Sequence, residues 1–344
     1  MTKQRNELYK KVTSRKLIWV CGLLLLMLVC FFKNLMTGAS GLILTDVLTA
    51  IFSPSSVSEK IHIIVWTVRL PVAIMAVLVG AGLAVAGMEM QTILNNSLAS
   101  PYTLGISSAA SFGAALSLVL GYSVFSENLQ NFVTPVFAFV FALGSSLLIY
   151  AVGKVKKDKS TIILAGIAMN FLFVALNSVF TYFVSDETLR GITNWSYGSL
   201  VGATLYEDLI VFAILVICVP FLLRESWKLT SLLIGDNTAK ALGVDVEGLR
   251  TRVMILASLI TAVSVCFVGT IGFIGLVAPY LAKRLVGGEQ RFYIPASLLV
   301  GGILLSVASI LSKTQIFGVT FAIALITNMI GIPFLLLLIL QKKR

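Results

Sequence analysis

Along the chain, apolar runs of about 20 residues alternate with short polar breaks, and the runs hold almost no charge. Wound as a helix at ~1.5 Å per residue, such a run covers the ~30 Å hydrocarbon core of a bilayer. Ten spans can be drawn, at about 17–36, 68–90, 103–122, 132–152, 161–184, 205–223, 252–269, 271–284, 293–312 and 320–340, those around 271–312 having the least defined limits. The period-2 alternation of a β-barrel strand is missing. The pattern predicts an all-α integral membrane protein of about ten helices, with a basic tail at 1–16 and one transmembrane domain at 17–344.

Composition agrees. Only 12% of the 344 residues are charged, whereas a soluble domain carries roughly a quarter. Mean hydropathy is +0.99. The net charge of +11 would suit a nucleic-acid partner, but its placement points elsewhere. With the N-terminus inside, the inner segments hold 21 of the 26 Lys and Arg residues, leaving Lys33, Lys60, Arg69, Arg190 and Lys313 outside. That bias predicts an even number of spans, both termini cytoplasmic, and contact with anionic lipid. Residues 1–16 resemble the start of a signal peptide, but no small-residue cleavage site follows, so an uncleaved first helix is expected.

Candidate chemistry is sparse. Cys21, Cys30, Cys218 and Cys266 lie in apolar spans without metal-ligand spacing, and the lone His62 has no companion ligands. No phosphate loop, nucleophile elbow, metalloprotease helix or carboxylate cluster occurs, so any ATP would be bound by a partner. Glu89 is the exception to the uncharged spans; at the inner end of the second, it reads as solvated at the cytoplasmic edge, with ion coupling the alternative.

Neutral polar groups form a clearer pattern. Asn170, Asn177 and Thr181 fall within ~20° of one another on the fifth span, and Thr320 and Thr327, with Asn328 beside them, repeat the seven-residue spacing near the C-terminus. Such stripes either bond neighbouring helices or line a pathway. GAGLAVAG, residues 80–87, and the Gly/Ala/Ser-rich third span predict close helix packing, with NNSLASPYT as the polar cytoplasmic turn between them and Pro101 in the first turn of the next helix. Asp236 is placed to cap a short helix in the long basic segment 224–252.

The motifs then become specific. RLPVAIMAVLVGAGLAVAGMEMQTILNNSLASPYTLGISSAASFGAA, ITNWSYGSL, IGDNTAKALGVDVEGLR, GFIGLVAPYLAKRLVGGEQR and GIPFLLLLI stand in the order and form of the iron-siderophore and cobalamin permeases of type II ABC importers. From about residue 66 onward the chain resembles that FecCD-like family. The resemblance implies a second permease subunit, two cytoplasmic ATPases carrying ATP and Mg, and an extracytoplasmic substrate-binding protein, with no cofactor on this chain. It implies that Arg69 and Lys313 dock the binding protein. Segment 235–250 would form the ATPase coupling segment, through Gly235, Asp236, Ala239, Leu242 and Gly243. Asn96, Leu98, Ser160 and Thr161 would form a cytoplasmic gate, and Asn170, Asn177, Thr181 and Thr327 the pathway lining. The sequence departs from the family pattern at Val72, Ser97, Tyr280, Lys313, Thr320 and Ala322. Lysine at 313 keeps the charge of the family's arginine without its two-pronged grip on a carboxylate.

The expectation is therefore a transport permease, not an enzyme, in a bacterial cytoplasmic membrane, moving a ferric siderophore or related iron complex. Heme or cobalamin is the alternative cargo. An ion-coupled secondary transporter would need intramembrane acid or base groups, and only Glu89 qualifies. A membrane enzyme would need a nucleophile–base pair or metal set that the sequence lacks.

Overall fold

The computed structural model describes residues 2–124, 127–156, 159–314 and 321–341, and among these no strand occurs. Fifteen α-helices follow in order: α1 Thr2–Met36, α2 Leu44–Phe52, α3 Glu59–Ile63, α4 Leu70–Leu94, α5 Ile106–Val124, α6 Glu127–Lys156, α7 Lys159–Phe183 and α8 Asp186–Ser196. After these come α9 Leu205–Arg224, α10 Ser226–Leu232, α11 Asp236–Ala241, α12 Val246–Val268, α13 Ile274–Val286, α14 Gln290–Lys313 and α15 Ile323–Gln341.

Each of the ten expected spans coincides with one of these helices: α1, α4, α5, α6, α7, α9, α12, α13, α14 and α15. Seven of the described helical stretches are long and apolar enough to cross a membrane, and Ile106–Gly121 and Ile323–Leu337 are shorter apolar helices. The thirteen residues of α13 extend only ~20 Å, too short for a full crossing. The poorly defined region resolves into α13 and α14 with a tight break at 287–289, where Gly287 takes φ +81°.

The centre is α4. In its apolar window 83% of residues are buried, against 11% in those of α1 and α7. It packs against α14, α12, α13 and α9. In lipid no hydrophobic effect draws apolar helices together, so close backbone contact carries much of the association. The GAGLAVAG run supplies it: a Cβ on Gly80 would overlap the Gly301 carbonyl, and one on Gly87 the Gly275 carbonyl. A Cβ on Gly82 would press on Ser264 and Ile260 of α12. The small-residue face of α5 does the same, Gly113 lying against the Phe137 carbonyl of α6.

Long-range contacts sort the loops into the two ends that the charge count predicts. At the basic end Lys16 pairs with Glu289 at 2.7 Å, and the Gln290 amide donates to Thr230 Oγ1 at 3.1 Å. At the opposite end Lys313 Nζ donates to Asn34 Oδ1 at 2.6 Å, Ser199 N to the Val268 carbonyl at 2.8 Å, and Ala324 N to the Tyr197 carbonyl at 3.1 Å.

Candidate functional site

The basic end holds the expected coupling segment as two short helices, α10 and α11. A six-residue helix has too few internal bonds to stand alone, and its ends are held by other means. Gly235 at φ +132° turns the chain into α11. After it, Gly243 at φ +81° donates to the Lys240 carbonyl at 2.9 Å and Val244 to the Ala239 carbonyl at 3.0 Å. This is the paired C-terminal closure that favours glycine. Ala239 is buried, whereas Leu242 is 57% exposed on the outer surface of the segment.

Asp236 does not cap α11. The N-cap is Gly235, and both Asp236 carboxylate oxygens instead accept from Arg250 Nη2 at 2.7 Å. The correction has a physical reason: a nearby guanidinium offers charged donors, stronger than the backbone N–H a cap would receive. Arg250 Nε also donates to the Ile93 carbonyl in the last turn of α4, at 3.0 Å. A second link runs from Thr230 of α10 to Gln290, whose Nε2 donates to Thr92 Oγ1 at 3.0 Å. The coupling segment is thus tied twice to the end of α4. Sequence reasoning singled out none of Arg250, Thr230, Gln290 and Thr92; their partners lie far along the chain, and no local pattern announces them.

α4 ends directly in the expected gate turn. Asn95 closes the helix at φ +48°, and Asn96 Oδ1 accepts from Leu98 N at 2.9 Å. The chain then doubles back, so that Pro101 lies against Gly275, the residue that also abuts Gly87. Non-helical backbone at such a place must be satisfied from within the protein. Ser100 N donates to Thr103 Oγ1 at 2.9 Å, Thr103 N to Ser100 Oγ at 3.2 Å, and Thr103 Oγ1 to the Leu98 carbonyl at 3.0 Å. The hydroxyls and amides of NNSLASPYT therefore serve this folded-back turn. Pro101 lies within it, five residues ahead of α5 and not in its first turn.

Ser160, exposed, and Thr161, half-buried, sit in the first turn of α7. A cavity of about 420 Å³ joins these parts, lined by Ile93 and Leu94 before the gate turn, Ile162 beside Thr161, Lys154, and Arg250.

The polar stripe of α7 is half-buried. Asn170 Oδ1 accepts from Ser108 Oγ of α5, Asn177 Oδ1 is buried without a partner, and Thr181 Oγ1 donates to the Ser178 carbonyl at 3.0 Å. Asn170 thus makes the interhelical bond that the spacing allowed. On α15, Thr327 is buried and donates to the Ala324 carbonyl at 3.2 Å, and Thr320 lies outside the described residues. Both helices turn large apolar side chains outward, among them Phe171 at 67% and Met329 at 71% exposure.

Glu89 is not at a solvated edge. It is fully buried in α4, seven residues beyond Gly82 on the face toward α12, and both carboxylate oxygens lack a hydrogen-bond partner.

At the opposite end, the two expected docking cations converge on the end of α1. Arg69 is buried: its guanidinium donates to the carbonyls of Leu35, at 3.4 Å, and Thr37, and to Ser40 Oγ at 2.7 Å. Lys313 donates to the Asn34 carbonyl at 3.4 Å as well as to Asn34 Oδ1. Cations at a helix C-terminus meet unpaired carbonyls and the negative pole of the helix dipole. Here Arg69 faces the protein, while Lys313 lines an open recess of about 1,020 Å³ between the 37–39 linker, the end of α8, the end of α14 and the start of α15.

A central glycine-packed helix, a folded-back turn at its end and a protruding two-helix segment define a polytopic transport permease. Residues 25–341 match the FecCD transport family, and the chain belongs to it. It is 35% identical over 283 residues to the hemin transport system permease protein HmuU of Yersinia pestis, covering 81% of this chain and 84% of that one. It is 31% identical over 279 residues to the vitamin B12 import system permease protein BtuC of Vibrio cholerae, covering 81% and 83%. A solved structure of a metal-chelate type ABC transporter in an inward-facing conformation superposes with a TM-score of 0.81 at 29% identity, over 94% of this chain and 98% of that one. The protein is a multi-pass membrane permease of the ABC importer class.

Proposed function

We propose that the chain is the permease subunit of an importer for a ferric siderophore or related iron complex. Its partners would be a second permease, either a copy or a paralogue, two cytoplasmic ATPases that bind ATP and Mg, and an extracytoplasmic binding protein. The basic end faces the cytoplasm. The observation that carries the reading is the Arg250 clamp: the coupling segment is bonded to the last turn of α4, two residues ahead of the gate turn. Movement imposed on α11 by an ATPase would reach that turn through a stiff, charge-assisted connection. Exposed Leu242 offers the apolar contact for the ATPase groove.

Across the membrane, the exposed flanks of α7 and α15 would face the second permease, with Asn177 and Thr181 toward the passage. The likeness to a metal-chelate transporter supports an iron complex as cargo, and the hemin and vitamin B12 relatives keep those two as the alternative. Co-expression with the neighbouring ATPase and binding-protein genes tests the assembly. An affinity-tagged chain should bring the ATPase down, and Leu242→Glu should release it while the permease still folds. Purification of the native chain free of any ATPase would count against the reading.

A further inference from the structure

The recess opposite the basic end has an unbalanced charge. Its walls offer Asn194, Ser199, Ser312 and Thr314, and Lys313 is the one charged residue among the described lining. Directly behind Gly38 of the same wall lies the Arg69 guanidinium. From Gln290 to the C-terminus the sequence contains no acid at all. Neither cation has a carboxylate partner among the described residues: the ion pairs Lys16–Glu289 and Arg250–Asp236 both belong to the basic end. Two like charges held together by carbonyls alone favour an anion beside them.

Geometry decides which cation would touch it. Arg69 is 6% exposed and spends its donors on Leu35, Thr37 and Ser40, so it contributes field, not contact. An ammonium has three donors. Asn34 takes two of those of Lys313, through its carbonyl and its Oδ1, which leaves one for an occupant of the recess. The volume of about 1,020 Å³ admits a whole metal chelate.

We propose that this recess is an anion site in which Lys313 receives a negatively charged oxygen of the transported complex, so that anionic chelates are taken in preference to neutral ones. The proposal rests on the importer reading and narrows its cargo by charge. The alternative, that the cations only close the end of α1, predicts no dependence on ligand charge.

The test is equilibrium binding to the purified permease assembled with its partners, read from tryptophan fluorescence, since Trp195 adjoins Asn194 of the recess wall. The probes are an anionic ferric tricatecholate and a neutral ferric trihydroxamate. The tricatecholate should bind about tenfold tighter, as one charge-assisted hydrogen bond provides. Lys313→Gln, which can still bond Asn34, should erase the difference, and Lys313→Arg should keep it. Asn194→Asp, equal in size and exposed in the same wall, should weaken the anion while sparing the contact to α1. Equal binding of the two probes, or an unchanged preference in Lys313→Gln, overturns the site. Anion-selective binding without ATP-driven uptake would leave the site standing and remove the importer reading. Uptake of both chelates alike would do the reverse.

Discussion

Arg250 holds the coupling segment with one nitrogen and the end of α4 with another. Charge-assisted bonds of this kind contribute ~1.5–3 kcal/mol when shielded and less at a wet edge. We expect Arg250→Gln to assemble with the ATPase but to move several-fold less cargo per ATP hydrolysed, measured by parallel uptake and phosphate-release assays; unchanged coupling would mean that the clamp only stabilises the fold. Glu89 makes the opposite prediction. An ionised carboxylate buried without a partner is costly, and glutamine has the same shape without the charge. Glu89→Gln should melt no lower than the native protein in detergent and should retain ATP-driven uptake, whereas a coupling acid would lose transport. Asp236 shows where local reading fails at this scale: helix-cap preference was visible in the sequence, but the guanidinium fourteen residues away that claims the carboxylate was not.

Among elements, α4 was the most legible. Its small residues at 80, 82 and 87 meet α14, α12 and α13, because only glycine lets backbones approach so closely. We expect Gly87→Ala to push α4 from α13 and to lower stability by about 1–3 kcal/mol, seen as a reduced melting temperature in detergent. A native-like transition would show that the contact relaxes at little cost. The glycines around α11 were legible too, as residues free to take the left-handed backbone at φ +132° and +81°. The doubled-back turn was not. Polar composition announced a loop at NNSLASPYT, but the reciprocal Ser100–Thr103 bonds that let it fold beside α4 depend on the tertiary setting. The span limits at 271–312 were blurred for a simple reason: α13 is shorter than the membrane is thick, and an apolar-length rule has no place for it.

At the scale of the molecule, the order of the helices and the sorting of loops to two ends followed from apolar length and from the positions of 26 basic residues. What composition could not supply was the link between ends: a rigid α4, bonded below to the coupling segment and packed above among helices that frame a cationic recess. Such a body has no ATP site of its own and would take its work from an ATPase seated on α10 and α11. The most direct measurement is cargo uptake into proteoliposomes containing the purified chain, with and without its ATPase and binding protein. Accumulation of a ferric chelate only when ATP and the ATPase are both present is the predicted result. Accumulation by the chain alone on a proton gradient would contradict it.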